Sequence, residues 1–274
     1  MLDPNPCATR YPILLVHGTS AYDDKPICGW GRIPRALEAR GARVYLSAQD
    51  GWGSVEHNAE MLVKRIEAIC AAEGCDRVNI IAHSKGGLDA RYAASSLGAG
   101  GRIASISTIG TPHHGSRTVD RIAKAPHAVF AAAARVVNAL ARWYGDEDPD
   151  FLSVGRQFTT AAMAEFNREN PDCPGVYSQS FGFAMRHPFS DVLLCLANRV
   201  IARLEGENDG LVSLASAAWG ESFQAIRAEG FWGISHLDEI DLRRVRLTHR
   251  GGKGYFDICD FYIRLVEDLR RRGM

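Results

Sequence analysis

One serine in this chain stands where its neighbours could make it a nucleophile. In Ala82-His83-Ser84-Lys85-Gly86-Gly87 an apolar run stops and a helix-like pattern begins at once, so Ser84 falls at the tip of a tight strand-to-helix turn. Such an elbow pushes the hydroxyl out of the sheet, and small residues two before and two after it, here Ala82 and Gly86, let strand and helix come close. A serine hydroxyl is a weak nucleophile at neutral pH; it needs a base within hydrogen-bond reach and an acid that fixes the base's tautomer. After an elbow of this kind the partners follow in the order acid, then histidine. Asp209 is the acid that stands out, in a turn directly after an apolar pattern that reads as a strand. His236 follows Phe231-Trp232-Gly233-Ile234-Ser235 and again lies in the loop after a strand-like run. Ends of strands are where sites on α/β sheets are assembled. Asn208-Asp209-Gly210 is also an ordinary turn sequence, and only Ser84 upstream turns the reading toward chemistry.

Acyl transfer through such a serine also needs backbone N–H groups for the developing oxyanion. Lys85, at the start of the helix after the nucleophile, is one expected donor, and Thr19 in His17-Gly18-Thr19-Ser20 is the second. The Lys85 side chain reads as a solvent or cleft-rim charge. Among the other histidines, His83 is expected to point away from the site and pack. His113 and His114 follow another strand and could line the cleft or position the lid, with His114 as a substrate contact. His57 and His249 have no motif around them and read as solvated surface.

The elements that must position these groups alternate along the chain. Strand-like runs at 13–16, 43–46, 78–82 and 103–109 interleave with helical patterns at 30–39, 55–72 and 88–97. This order implies a parallel sheet with right-handed crossovers. Runs at 176–183, 199–205 and 229–234 are read as further strands, and 255–272 as a closing amphipathic helix. At about 116–188 the pattern breaks into an insertion. Its helical stripe, which includes Val136 and Leu140, suits a lid or acyl-binding cap, although packing on the core is the default role of such a stripe. The acidic stretch 145–150 would serve as its hinge.

Size and charge narrow the possibilities. A chain of 274 residues, 46% hydrophobic, can form one large domain, 1–274, but not two full ones. Lys plus Arg equals Asp plus Glu at 32 each, so no global field favours nucleic acid or an anionic membrane. No run approaches bilayer-spanning length, and no basic segment leads into an apolar one near the N-terminus. The expectation is a cytoplasmic protein if the chain is full length and a secreted one if a leader was removed. Seven cysteines without a Cys-x-x-Cys pair fit reduced, mostly buried thiols better than a zinc site or disulfide frame.

Together these segments resemble the bacterial true lipases, the Pseudomonas and Burkholderia type of triacylglycerol lipase in the α/β-hydrolase superfamily. The resemblance is carried by Val16-His17-Gly18, the elbow, Thr108 to Ser116, Phe166-Asn167, Asn208 to Val212 and His236 to Ile240. It implies an α/β-hydrolase fold, a triad of Ser84, Asp209 and His236, an oxyanion hole at Thr19 and Lys85, and a mobile lid. It also implies a structural calcium held by two aspartates. Asp238 matches one of them, but His187 stands at the position read as the other, which argues against an ion that prefers oxygen ligands. The family disulfide is likewise unmatched, with Ala215 where the partner of Cys173 would be. No cofactor is expected. The implied activity is a serine carboxylic-ester hydrolase acting on a lipid or small ester, with contact to a lipid or polymer interface through the lid. An intracellular polyhydroxyalkanoate depolymerase is the alternative enzyme, and a catalytically silent apolar-ligand or partner-binding module is the alternative of another class.

Overall fold

The run Val78-Asn79-Ile80-Ile81-Ala82-His83 offers no polar face to water, and a strand of this composition is stable only when covered on both sides. It forms β3 (Val78–His83), buried at every position. In the computed structural model, which describes residues 3–19, 29–124, 155–228, 230–247 and 257–274 with Tyr255 and scattered positions between 131 and 142, six strands pair in one sheet. Besides β3 these are β1 (Ile13–Val16), β2 (Val44–Leu46), β4 (Ile103–Ile109), β5 (Tyr177–Ala184) and β6 (Ser222–Arg227). Their order is β2-β1-β3-β4-β5-β6, and every pairing is parallel.

Parallel strands need crossovers, and the helices supply two layers. Side chains alternate across β1: Ile13 and Leu15 enter one cluster, Leu14 and Val16 the other. The first cluster is closed by α1 (Ile33–Glu38) and the C-terminal helix (Ile258–Arg271) through Ile33, Leu37, Phe261, Tyr262 and Leu265. The second is closed by α2 (Val55–Glu73) and α3 (Gly86–Ala94) through Leu62, Ile66, Ala90 and Ala93. Ends of helices follow their caps. Ser54 accepts the His57 amide at the start of α2, and Gly74 in the left-handed region ends it. Asp257 and Asp260 form a capping box for the last helix, three residues later than the periodicity alone predicts.

Two of the expected strands are not strands. Residues 199–204 belong to a helix, α6 (Cys195–Leu204), with Glu205 as its C-cap; it follows α4 (Arg117–Lys124) and α5 (Thr160–Glu169). Only Asn198 and Ile201 of α6 are buried, three apart on one face, which is a helical period; the local run of Val200, Ile201 and Ala202 misleads. Residues 230–234 make a single bridge, Met185 to Gly233, because Gly233 sits at φ +73 and a Cβ there would lie 2.3 Å from the Arg186 nitrogen. The sixth strand lies earlier, at Ser222–Arg227, where a mostly exposed edge with Ile226 alone fully buried gives little apolar signal. Since β5 lies within 116–188, the excursion from the sheet between β4 and β5 runs over 110–176. Val136, Leu140, the acidic stretch 145–150, Ser20, Cys28 and His249 lie outside the described residues. The six described cysteines are free thiols.

Candidate active site

Ser84 is held at φ +53, a conformation that L residues other than glycine, asparagine and aspartate rarely adopt and that costs on the order of 1–3 kcal/mol. The turn is held at both of its backbone groups. Its amide donates to Ile109 O at 2.9 Å, and its carbonyl accepts the Thr111 hydroxyl at 2.7 Å. Close approach then dictates the small neighbours. A Cβ on Gly86 would lie 2.4 Å from His17 O, and one on Gly18 would lie 2.6 Å from the Ser84 Cβ. The loop after β1 therefore lies directly against the elbow, where the expected oxyanion donor Thr19 follows Gly18. Lys85 is the N-cap residue of α3, so its amide is among those that the helix itself leaves without an acceptor.

The Lys85 side chain is not at a cleft rim. It is buried and donates from Nζ to Asp89 Oδ1 at 2.7 Å, one helical turn on. Asp89 is also held by Gln49 at 2.8 Å and Asn58 at 3.3 Å. A cation buried beside the elbow has no water to solvate it, so it is paired within the helix.

Asp209 and His236 are both buried and meet through His236 Nδ1 and Asp209 Oδ2 at 2.8 Å. The His236 amide also donates to Asp209 O at 2.9 Å, which fixes the two loops in register. Asp209 Oδ1 accepts the amides of Leu211 and Val212 at 2.8 and 2.7 Å. Burial pushes the Asp209 carboxyl upward, but the His236 imidazole and these donors outweigh it and hold the group below the usual carboxylate range. Asp209 thus stays charged and orients Nδ1–H, leaving His236 Nε2 for a proton. His83, adjacent to Ser84, has its ring centroid 4.5 Å from that of His236. This contact brings the pair to the elbow. His83 is buried as expected but does not point away from the site: its ring lies between His236 and Glu239, and burial with His236 beside it keeps its imidazole neutral.

A fourth member is Glu239, which lies within the His236 to Ile240 motif but to which the sequence alone assigns no role. Its Oε2 lies 3.2 Å from His83 Nε2 and 3.6 Å from His236 Nδ1, and the side chain is fully buried. Gly110, at φ +54, makes room: a Cβ there would lie 2.2 Å from Glu239 Oε2. Burial, then the nearby Asp209 charge, raises the Glu239 carboxyl well above the glutamate range. As a neutral acid it can donate to Asp209.

His113 and His114 do different things. His113 is buried, bridges Arg91 Nη1 at 3.1 Å and the Thr108 hydroxyl at 2.9 Å, and stacks on Trp219. Arg91 also donates to Asn167 Oδ1 at 2.8 Å and lies over the Phe166 ring, so the residues of two recognised motifs meet as scaffold. His114 is exposed, and its bonds run to the carbonyls of Ala218 and Ser216. His57 is exposed as expected.

His187 does not face Asp238; it packs on the rings of Phe231 and Trp232. The carboxylate that shares a partner with Asp238 is Asp191, and that partner is Arg243, whose Nε is 2.9 Å from Asp238 Oδ1 and 3.4 Å from Asp191 Oδ2. A guanidinium occupies the place where a calcium ion would have to draw on these carboxylates, so the residues do not fit the ion. His83, His236 and Glu239 also have ligand atoms within 4.8 Å of one another, but their positions are those of the network just described.

No family model matches the chain. It is 32% identical to a triacylglycerol lipase of Pseudarthrobacter phenanthrenivorans, over 85% of this chain and 89% of that protein. A triacylglycerol lipase of Burkholderia plantarii is 32% identical, over 85% and 80%. Among solved structures, the mature Bacillus licheniformis lipase BlEst2 superposes with a TM-score of 0.67 at 19% identity, over 88% of this chain and 89% of that one. The metagenomic carboxyl esterase MGS0156 gives 0.71 at 15% identity, over 96% and 76%.

Proposed function

Because the chain belongs to the triacylglycerol lipase family and is a carboxylic-ester hydrolase with an α/β-hydrolase fold, we propose that Ser84, His236 and Asp209 perform its chemistry on a lipid ester. The observation that carries the assignment is the buried pair His236 Nδ1 to Asp209 Oδ2 at 2.8 Å, whose imidazole packs on the residue next to Ser84. Ser84 Oγ attacks the ester carbonyl while its proton passes to His236 Nε2. The alcohol leaves with that proton, and water, deprotonated by the same nitrogen, cleaves the acyl-enzyme. Backbone amides of Thr19 and Lys85 face the developing oxyanion, a role worth roughly 10²–10³ in turnover for one donor.

The lipid surface itself is met by exposed apolar side chains. Phe189, Val192, Leu196, Phe231 and Trp232 are all more than half exposed, and Phe231 and Trp232 lie just upstream of His236. Among the described residues no helix is long and apolar enough to cross a membrane. Initial rates on p-nitrophenyl esters from acetate to palmitate, with fluorophosphonate labelling, test the assignment. Ser84→Ala is expected to lose both turnover and label, and His236→Ala to lose about 10⁴ or more in kcat in a folded protein. A folded His236→Ala with near wild-type kcat would sink the triad.

A further inference from the structure

The loop that carries His236 is anchored through two buried carboxylates. Asp238 Oδ2 accepts the Ser235 amide at 3.0 Å, and Asp191 Oδ2 accepts the Ser235 hydroxyl at 2.9 Å, so the residue preceding His236 is clamped from both sides. The side chains of Asp191 and Asp238 are 2% and 1% exposed. Two such charges side by side are tenable only with a cation between them. Arg243 provides it. Nη2 and Nε donate to Asp238 at 2.5 and 2.9 Å, Nε lies 3.4 Å from Asp191, and Nη1 donates to Ser190 O at 3.0 Å. The planar fork thus engages both carboxylates and a carbonyl from the segment after β5, joining that segment to the histidine loop.

We propose that Arg243 is a built-in cation that does here what a bound divalent ion would do: it holds the loop of Ser235 to Asp238 so that His236 stays against Asp209 and the elbow. Arg243 is a positioning residue, and the protein needs no calcium for activity or stability. The proposal rests on His236 being the base, and its metal arms are separate from that reading, since they are measured on stability as well as turnover.

The test compares wild type, Arg243→Ala and Arg243→Lys in EDTA, in 5–10 mM calcium chloride (about a thousandfold above the weak end of sensor affinities) and in guanidinium chloride at a similar, non-denaturing concentration. Wild-type Tm and kcat are expected to be the same in EDTA and calcium. Arg243→Ala is expected to lower kcat at least tenfold with KM within twofold, and calcium or guanidinium to restore much of kcat and Tm by refilling the vacated charge. Arg243→Lys keeps the charge, so it should fold and respond to calcium no more than wild type; it decides the matter if the alanine variant is not recovered folded. A wild type or lysine variant stabilised by calcium overturns the proposal, as does a folded Arg243→Ala with wild-type kcat or with a loss that neither cation relieves. If His236→Ala proved as active as wild type, the base assignment would fail while the EDTA and calcium comparison of Tm still stood.

Discussion

At the scale of single residues, the site rests on two buried acids kept in opposite protonation states. Asp209 receives two backbone amides and the His236 ring, and these hold it charged against the cost of burial. Glu239, a few ångströms away, meets no donor in hydrogen-bonding geometry among the described residues and is kept neutral by burial and by the Asp209 charge. The pH dependence follows from its raised folded value. Below about pH 4.5, the ordinary glutamate value, Glu239 is protonated in both states and its contribution is fully present; as pH rises above that, the unfolded chain releases the proton while the folded one retains it, and stability is lost. Glu239→Gln removes that titration while keeping shape and a donor. Compared with this variant, wild type is expected to lose up to about 1.4 kcal/mol per pH unit between pH 5 and the folded value. Urea midpoints at pH 5 and pH 8 measure it, and a difference that is flat or of opposite sign would show that Glu239 is ionised in the folded protein. Asp209 and His236 were singled out by their order after Ser84, although only Ser84 sits at the strand end expected of it. Glu239 was not, because its role depends on space left by Gly110 more than a hundred residues away.

Elements were readable where burial is two-sided and periodic. The strands at 13–16, 78–83, 103–109 and 177–184 carry the site, and their apolar runs announce them. Legibility fails at the sheet's far edge, where Ser222–Arg227 is mostly exposed and where a short apolar run in Cys195–Leu204 imitates a strand. Asp209 therefore follows a helix and His236 follows an irregular, glycine-bounded segment; the loops converge because Asp209 and His236 bond each other, not because each caps a strand. The elbow, by contrast, is set by steric necessity. Gly86→Ala would push a methyl to 2.4 Å from His17 O and 2.8 Å from Val16 O, both backbone atoms. A loss of about 3 kcal/mol or more is expected, together with reduced kcat as Ser84 is displaced. Gly101→Ala, where nothing lies within 4 Å and φ is not positive, serves as the control and should change stability by less than about 0.5 kcal/mol. Equal unfolding midpoints for the two variants would mean that the strand and helix can separate without cost.

For the whole molecule, the balance of 32 basic and 32 acidic residues leaves no net charge to draw it toward a substrate surface. What remains is apolar contact. Phe231 and Trp232, 66% and 52% exposed, pack on each other at 5.0 Å and on His187, forming a small exposed aromatic cluster on the segment that leads into His236. Inserting two such side chains into a lipid surface stabilises the bound state by roughly 25 cal/mol per Å² of apolar area removed from water, and that term barely responds to salt. Phe231→Ser with Trp232→Ser is accordingly expected to lower the rate on emulsified triacylglycerol roughly tenfold or more, with the deficit unchanged between low and high ionic strength. Turnover of a dissolved short-chain ester should stay within about twofold of wild type, because neither side chain touches the His236 and Asp209 pair. Should both substrates slow by the same factor, these aromatics support the histidine loop from outside and the lipid surface is met elsewhere; should the emulsion deficit vanish at high salt, the contact is electrostatic despite the balanced charge.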